Sequence, residues 1–317
     1  MRYTDFPGVG KRVSVICMGT DVMGSSRSTE LSHKLLDMYA EIGGNFIDTA
    51  RIYGQQADGT SLSERCVGAW LKSRGMRDKI VLGTKGAHYN PRTKERRLSR
   101  ADIISDCEHS LDDLGVDFID IYWLHRDDDT RPVEEIVDTL NELKSRGYVG
   151  ALGASNWTAK RLAEANAYAA RTGKAGFSAD QPQWSLARQV VPGDTTLVQM
   201  HDELREFHRR TGMPVVPYSS QAKGFYSKLH TQGRAALELD SMKPYDAAEN
   251  LNKLSVVERI AAEHGVSVGA VALGYLTGQE FPVFPIVGVS REEYMHDVRE
   301  AGDLVLTADE MRTLDEA

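Results

Sequence analysis
Four ionisable residues stand at or just beyond the ends of apolar runs, and their types suit a single proton transfer. Asp48 closes NFID within GNFIDTARIYG, Tyr53 follows in the same stretch, Lys85 ends VLGTK, and His125 ends FIDIYWLH. A phenol has a reference pKa of about 10, so it releases its proton poorly at neutral pH. A lysine ammonium beside it favours phenolate and lowers that value. A carboxylate paired with the lysine keeps it charged and fixes its position. An imidazole N–H can hold a carbonyl oxygen in line while the tyrosine protonates that oxygen and hydride reaches the carbon. Taken singly, each residue has an ordinary reading. Asp48 serves as a turn or cap, Tyr53 as rim packing, Lys85 as a solvated loop charge, and His125 as a satisfied hydrogen-bonder. Acting together, they require a fold that brings neighbouring strand ends to one face.

The elements that position them alternate short apolar runs with amphipathic stretches. RVSVICMG, NFID, KIVLGTK, FIDIYWLH, YVGALGAS, FSADQPQ, MPVVPYS and FPVFPIV predict eight strands. TELSHKLLDMYAEIGG predicts a helix with Leu31, Leu35, Met38 and Ile42 on one face, capped by Ser28 or Thr29 and ended at Gly43-Gly44. SLSERCVGAWLKSRG is a helix stopped by Gly75. ADIISDCEHSLDDLG lines up Ile103, Cys107, Leu111 and Leu114, and Ser99 with Asp102 resembles a capping box. Pro132 suits the first turn of the next helix, which carries Ile136, Leu140 and Leu143 and stops at Gly147. Further helical stretches fall near 158–171, 195–211 and 253–278, and two amphipathic pieces near 291–301 and 307–316. Residues 219–250, polar and glycine-rich, read as a long loop.

Strands joined by helices run parallel with right-handed crossovers. Eight such units predict an α/β fold, a closed (β/α)8 TIM barrel. It forms a single domain over residues 1–317, with an N-terminal cap and extra C-terminal helices. Its active site would lie at the C-terminal strand ends, where the four ionisable residues stand. A doubly wound open sheet is the rival fold, marked by a G-x-G-x-x-G turn into the first helix. GVGKRV lacks the third glycine and precedes a strand.

Bulk properties exclude several functions. The chain of 317 residues has a net charge of −8, and no run of lysine or arginine dominates. Nucleic acid and anionic membrane surfaces are therefore disfavoured as partners. The opening MRYTDFPGVG lacks a basic end followed by an apolar stretch, so no secretory signal is expected. No apolar run approaches the length of a membrane span. Cys17, Cys66 and Cys107 are odd in number and far apart, which argues against a disulfide framework or a zinc site and for buried thiols in a reducing cytoplasm. HRDDD at 125–129 is a poor metal site, because adjacent residues on a turn seldom face one ion. His201 and His208 are expected to be solvated on their helix, and GASNW lacks the pattern of a nucleophile elbow.

GNFIDTARIYG, VLGTKG, DIYWLHR and GASNW, in this order, resemble the aldo-keto reductases. The likeness runs from GVGKRVSVICMGT through PIVGVSREEY to LTADEMRTLDEA. It implies a (β/α)8 barrel oxidoreductase that interconverts carbonyls and alcohols with a nicotinamide dinucleotide bound without a Rossmann fold and without a metal. By resemblance, Asp48, Tyr53, Lys85 and His125 form the catalytic tetrad, with Tyr53 the general acid-base. Ser155, Asn156 and Gln181 match the positions that hold the carboxamide, and Tyr218 the aromatic residue that stacks on the nicotinamide. Gly19 and Thr20 match a Gly-Thr turn near the cofactor. Ser219, Gln221 and Lys223 lie where the pyrophosphate is clasped, although SSQAKG departs from the usual Ser-Pro-Leu opening. Gly288, Ser290 and Arg291 fit the grip on the adenosine ribose and its 2′-phosphate, where Arg291 could equally be a solvated charge. The usual arginine is Tyr294 here, and the usual Glu-Asn is Asp297 and Val298. NADP(H) is the family default, and NAD(H) stays open.

Met23, His88, Tyr89, Trp123, Trp184 and Phe225 fall where the family lines its substrate site, with His88 and Tyr89 foremost because they follow Lys85. Such walls suit a sugar, a polyol-derived ketone or an aryl aldehyde. An intact tetrad favours catalysis. The alternative is a cofactor-binding regulatory barrel that acts through a protein partner.

Overall fold
The computed structural model describes residues 1–90, 93–191 and 193–317. A short antiparallel hairpin comes first, β1 (Tyr3–Thr4) and β2 (Val13–Ser14). Then β3 (Cys17–Gly19), α1 (Thr29–Glu41), β4 (Phe46–Asp48), α2 (Leu62–Arg74), β5 (Val81–Gly86) and α3 (Arg100–Leu114) alternate. They continue with β6 (Ile119–Leu124), α4 (Val133–Ser145), β7 (Val149–Ser155), α5 (Ala159–Thr172) and β8 (Ala179–Gln181). Helices dominate the remainder: α6 (Asp202–Thr211), α7 (Phe225–Gln232), α8 (Ala248–His264) and α9 (Val268–Thr277). After β9 (Ile286–Val287) come α10 (Met295–Asp303) and α11 (Ala308–Glu316). The sheet order is β8-β7-β6-β5-β4-β3-β9, every pair parallel.

The gap between β8 and β9 is closed by the segment at 214–218, the expected strand MPVVPYS. It is bonded on both sides: Val216 N–H donates to Asp180 O, Asp180 N–H to Pro214 O, and Phe284 N–H to Val215 O. Prolines at 214, 217, 282 and 285 remove donors from this ladder, so only isolated bridges form where the sequence predicts a strand. The expected strand RVSVICMG is two strands. Its first part pairs in the hairpin, and only Cys17–Gly19 enters the barrel.

Strand periodicity decides what fills the barrel and what crowns it. Along each strand the inward positions begin apolar and end polar. Phe46 leads to Asp48, Val81 and Gly83 to Lys85, Ile121 and Trp123 to His125, Ala151 and Gly153 to Ser155, and Ala179 to Gln181. The lower members form one buried cluster with Phe6, Val13, Cys17, Val216 and Phe284. Phe6, from the hairpin loop, packs on Phe46 and Phe284 at centroid distances of 6.0 and 5.4 Å and closes the N-terminal mouth. The outward positions, among them Ile47, Leu82 and Leu152, join the larger core beneath the helices.

Helix boundaries follow local chemistry. Ser28, Ser61, Ser99 and Thr158 each accept an N–H of the first turn, and Gly75, Gly115 and Gly173 end helices with φ near +65°. Pro132 stands one place earlier than expected, at the N-cap of α4. The helix expected near 195–211 starts only at Asp202, and that near 253–278 is two helices interrupted by Gly265. The loop expected at 219–250 contains α7 and two 3-10 turns, because Phe225, Tyr226 and Leu229 give it a buried face. No helix among the described residues is long and apolar enough to cross a membrane. All three cysteines are buried and unpaired.

Candidate active site
β4, β5 and β6 are neighbours in register, with Asp48 opposite Gly83 and Lys85 opposite Trp123. Their ends therefore meet. Lys85 Nζ donates to an Asp48 carboxylate oxygen, to Thr49 O at 2.8 Å, and to Tyr53 Oη at 3.0 Å. Asp48 and Lys85 are each 1% exposed. The Tyr53 ring lies edge-on to His125, with centroids 5.9 Å apart. Gln181 Nε2 donates to the other Asp48 oxygen at 3.1 Å, so the carboxylate is held from two sides.

The electrostatics differ in one respect from the sequence expectation. Burial raises the Tyr53 phenol above its ordinary value, and the adjacent Lys85 only partly offsets this. The expected lowering is thus outweighed, and the phenol holds its proton. Burial opposes charge on Lys85 too, but Asp48 and Tyr53 outweigh it and hold the ammonium form. Burial, then Lys85 and Arg126, push His125 well below the usual imidazole value, so it is neutral. His88, at a centroid distance of 4.7 Å from His125, is lowered to about 4, by burial first and then by Arg126. Its Nδ1–H donates to the Tyr89 carbonyl at 2.8 Å, which fixes the tautomer.

The loop that carries Tyr53 is anchored by a network the sequence did not reveal. Arg51 N–H donates to Lys85 O at 2.9 Å, and its guanidinium pairs with Asp113 and, at 3.7 Å, with Glu64. Glu64 is fully buried on α2 and accepts from Thr84 Oγ1 at 2.6 Å. Burial raises its carboxyl to about 7.

The other expected residues divide. Ser155, Asn156, Gln181 and Tyr218 come together. Ser155 Oγ donates to Gln181 O at 2.8 Å, Asn156 Nδ2 donates to Ser155 Oγ at 3.0 Å, and Tyr218 Oη donates to Asn156 Oδ1 at 2.7 Å. Asn156 has φ +62°, which turns the chain at the strand end. Gly19 ends β3, and Thr20 is buried, donating to Asp48 O at 3.1 Å. Ser219 and Lys223 sit with φ above +50° in the loop before α7, beside Gln221. Gly288 is exposed, with no atom within 4 Å of where a Cβ would stand, and Ser290 and Arg291 are exposed after it. Arg291 lies 3.6 Å from Glu293.

Of the six expected substrate-wall residues, His88 packs against His125, Tyr89 packs against His88, and both are partly exposed. Four lie elsewhere. Met23 and Phe225 are fully buried in the outer core, and Trp184 stacks on Phe281 at 6.1 Å. Trp123 fills the barrel beneath the tetrad, its ring lying where a Cβ on Gly153 would be 2.0 Å away. Their size and apolarity drive them into the interior. His208 is also buried rather than solvated, 3.2 Å from Asp180. The acids of HRDDD are taken up by arginines, Asp127 by Arg161 and both Asp128 and Asp129 by Arg96.

Comparison with known proteins agrees with this geometry. A sequence model described as the Aldo/keto reductase family matches residues 15–317. The chain is 33% identical to the aldo-keto reductase ausK of Emericella nidulans, over 98% of this chain and 79% of that one. It is 30% identical to an aryl-alcohol dehydrogenase [NADP(+)] of Phanerodontia chrysosporium (98% and 84% covered) and 32% to a norsolorinic acid reductase of Aspergillus flavus (97% and 78%). Its fold superposes on a thermostable aldo-keto reductase solved with the inhibitor epalrestat, with TM-score 0.75, 23% identity, and coverage of 100% and 99%. The barrel, the order of its motifs and these matches place the chain in the aldo/keto reductase family, oxidoreductases that interconvert carbonyls and alcohols with a nicotinamide cofactor.

Proposed function
We propose that the chain is an NADP(H)-linked reductase of aromatic aldehydes or ketones, acting within one barrel domain, with Tyr53 as the proton donor. The observation that carries this reading is the Lys85 ammonium 3.0 Å from Tyr53 Oη, backed by the buried Asp48 carboxylate. The protonated phenol is the form a reduction needs. Neutral His125 can donate an N–H to the carbonyl oxygen and orient it toward Tyr53. As the phenol gives up its proton, Lys85 stabilises the phenolate in a site of low dielectric.

The residues present fit a nicotinamide dinucleotide. The bound cofactor supplies the hydride in reduction and accepts it in oxidation. Amides on Asn156 and Gln181, the hydroxyl of Ser155 and the half-buried ring of Tyr218 match a carboxamide and a flat heteroaromatic ring. Left-handed backbone at Ser219 and Lys223, and open space at Gly288, suit close approach of a phosphate chain. Arg291 supports NADP(H), because a guanidinium complements a 2′-phosphate. The aromatic substrate class is supported by His88 and Tyr89 at the site and by relatives named for aryl-alcohol and norsolorinic acid chemistry.

Replacing Tyr53 by Phe removes the hydroxyl, and with it the proton donor and the acceptor for Lys85, while keeping the ring. Turnover of an aryl aldehyde should fall by about 10²- to 10⁴-fold, while the NADPH dissociation constant measured by fluorescence titration stays within about twofold. Near-normal kcat would dismiss Tyr53 as the acid.

A further inference from the structure
The wall of the site leads to two cations that the tetrad does not use. From Tyr53, rings continue outward through His125 and His88 to Tyr89, whose centroid is 4.3 Å from that of His88. Over the Tyr89 ring stand the Lys94 ammonium, 5.0 Å from the centroid, and the Arg126 guanidinium, at 5.5 Å. Both line a cleft of about 810 Å³ that also includes Ala87, Asn156 and Asp194. Arg96, Arg97, Lys160 and Arg161 line it too, and each has a carboxylate within ion-pair distance. Among the described residues, Lys94 and Arg126 have none.

Arg126 is held in place without being neutralised. Its Nη1 donates to His125 O at 2.8 Å and its Nε to Thr196 Oγ1 at 3.2 Å. Both acceptors are uncharged, and their bonds fix the guanidinium in advance of any ligand, which lowers the ordering cost of binding. Asp194 is the acid that faces this group. It accepts from Tyr89 Oη at 2.7 Å and interacts with Arg126 electrostatically, outside ion-pair distance. Among the described residues, two cations against one anion leave a single positive charge, in a chain whose net charge is −8.

We infer that Arg126 and Lys94 form a subsite for a monoanionic group, so that the substrate is an aromatic aldehyde or ketone carrying a carboxylate remote from its carbonyl. The inference rests on the carbonyl-reductase reading above. One uncompensated charge matches a carboxylate rather than a phosphate dianion, and a planar guanidinium binds a carboxylate with two parallel hydrogen bonds.

The test compares acids with their methyl esters at two lengths. These are 4-carboxybenzaldehyde and 4′-formylbiphenyl-4-carboxylate, each against its ester, with NADPH. The acid of at least one pair should be favoured in kcat/KM by about tenfold or more, the ordinary worth of a charge-assisted hydrogen bond. The preference should lie mainly in KM, shrink with added salt, and collapse toward one in Arg126→Gln, with a smaller drop in Lys94→Gln. Equal use of acid and ester at both lengths, or a preference that survives Arg126→Gln, overturns the inference but leaves the reductase standing. If no aldehyde is turned over, the reductase reading fails. The subsite is then judged by calorimetry alone, with 4-(hydroxymethyl)benzoate expected to bind the wild-type chain more tightly than its methyl ester and to lose that advantage in Arg126→Gln. Equal binding of the two overturns it.

Discussion
At the residue scale, the grouping of Asp48, Tyr53, Lys85 and His125 was legible because its members differ in type and stand at or just beyond the ends of apolar runs. Types alone predicted that Lys85 would acidify Tyr53. They could not weigh burial, which depends on the whole barrel and leaves the phenol protonated. Nor could they show Gln181 bonded to Asp48, since 133 residues separate the two. Arg126 carried a signal, standing directly after His125, whereas nothing local singles out Asp194. Trp123, Trp184 and Phe225 are buried, because a large ring beside a strand end belongs to the core as readily as to a pocket. Arg291 is mostly exposed, and among the described residues Glu293 is the one carboxylate within ion-pair distance of it, so its proposed worth rests on the 2′-phosphate. Arg291→Ala should weaken NADPH binding by about tenfold and leave NADH almost unaffected, as judged by dissociation constants for both. Equal losses would remove Arg291 from the phosphate site.

At the element scale, the sequence marked helix starts well, because a serine or threonine cap is a local signal. Division of RVSVICMG was hidden, since both parts are apolar and only the partner strand distinguishes them. The tie between α2 and the loop that carries Tyr53 was hidden too. Glu64 lies on an otherwise ordinary helix, and its buried carboxyl is raised to about 7 from an ordinary 4.5. Below 4.5 both folded and unfolded chains hold this proton. Between 4.5 and about 7 the unfolded chain releases it and the folded chain keeps it, so stability falls as pH rises through this window. The full effect is roughly 3 kcal/mol. Glu64→Gln retains an acceptor for Thr84 and should flatten that part of the slope, read as the difference between wild-type and variant denaturation midpoints at pH 5 and 8. An unchanged slope would mean that Glu64 is ionised in the folded chain.

At the scale of the whole molecule, eight repeating units foretold a barrel, and a barrel foretold where its site would be. Its closure was less legible, because prolines at 214, 217, 282 and 285 weaken the ladder just where the ends must join. Backbone bonds from 214–216 to both neighbours still complete the ring. The interior is filled by Trp123, for which Gly83 and Gly153 leave room. An alanine at Gly153 would place its Cβ 2.0 Å from that fully buried ring. Gly153→Ala should therefore destabilise the fold by about 1–3 kcal/mol in urea denaturation, the usual cost of overfilling a packed core. A neutral result would mean that the ring has space to move.

The central claim is that Lys85 acts through Tyr53, and a double-mutant cycle tests it most directly. Single-turnover reduction of an aryl aldehyde would be followed in the wild type, Tyr53→Phe, Lys85→Met and the double variant, with circular dichroism confirming that each is folded. If the amine serves the phenol, Lys85→Met slows the wild type severely but adds little to Tyr53→Phe. Losses that simply multiply in the double variant would show that the two groups act independently and would contradict the account.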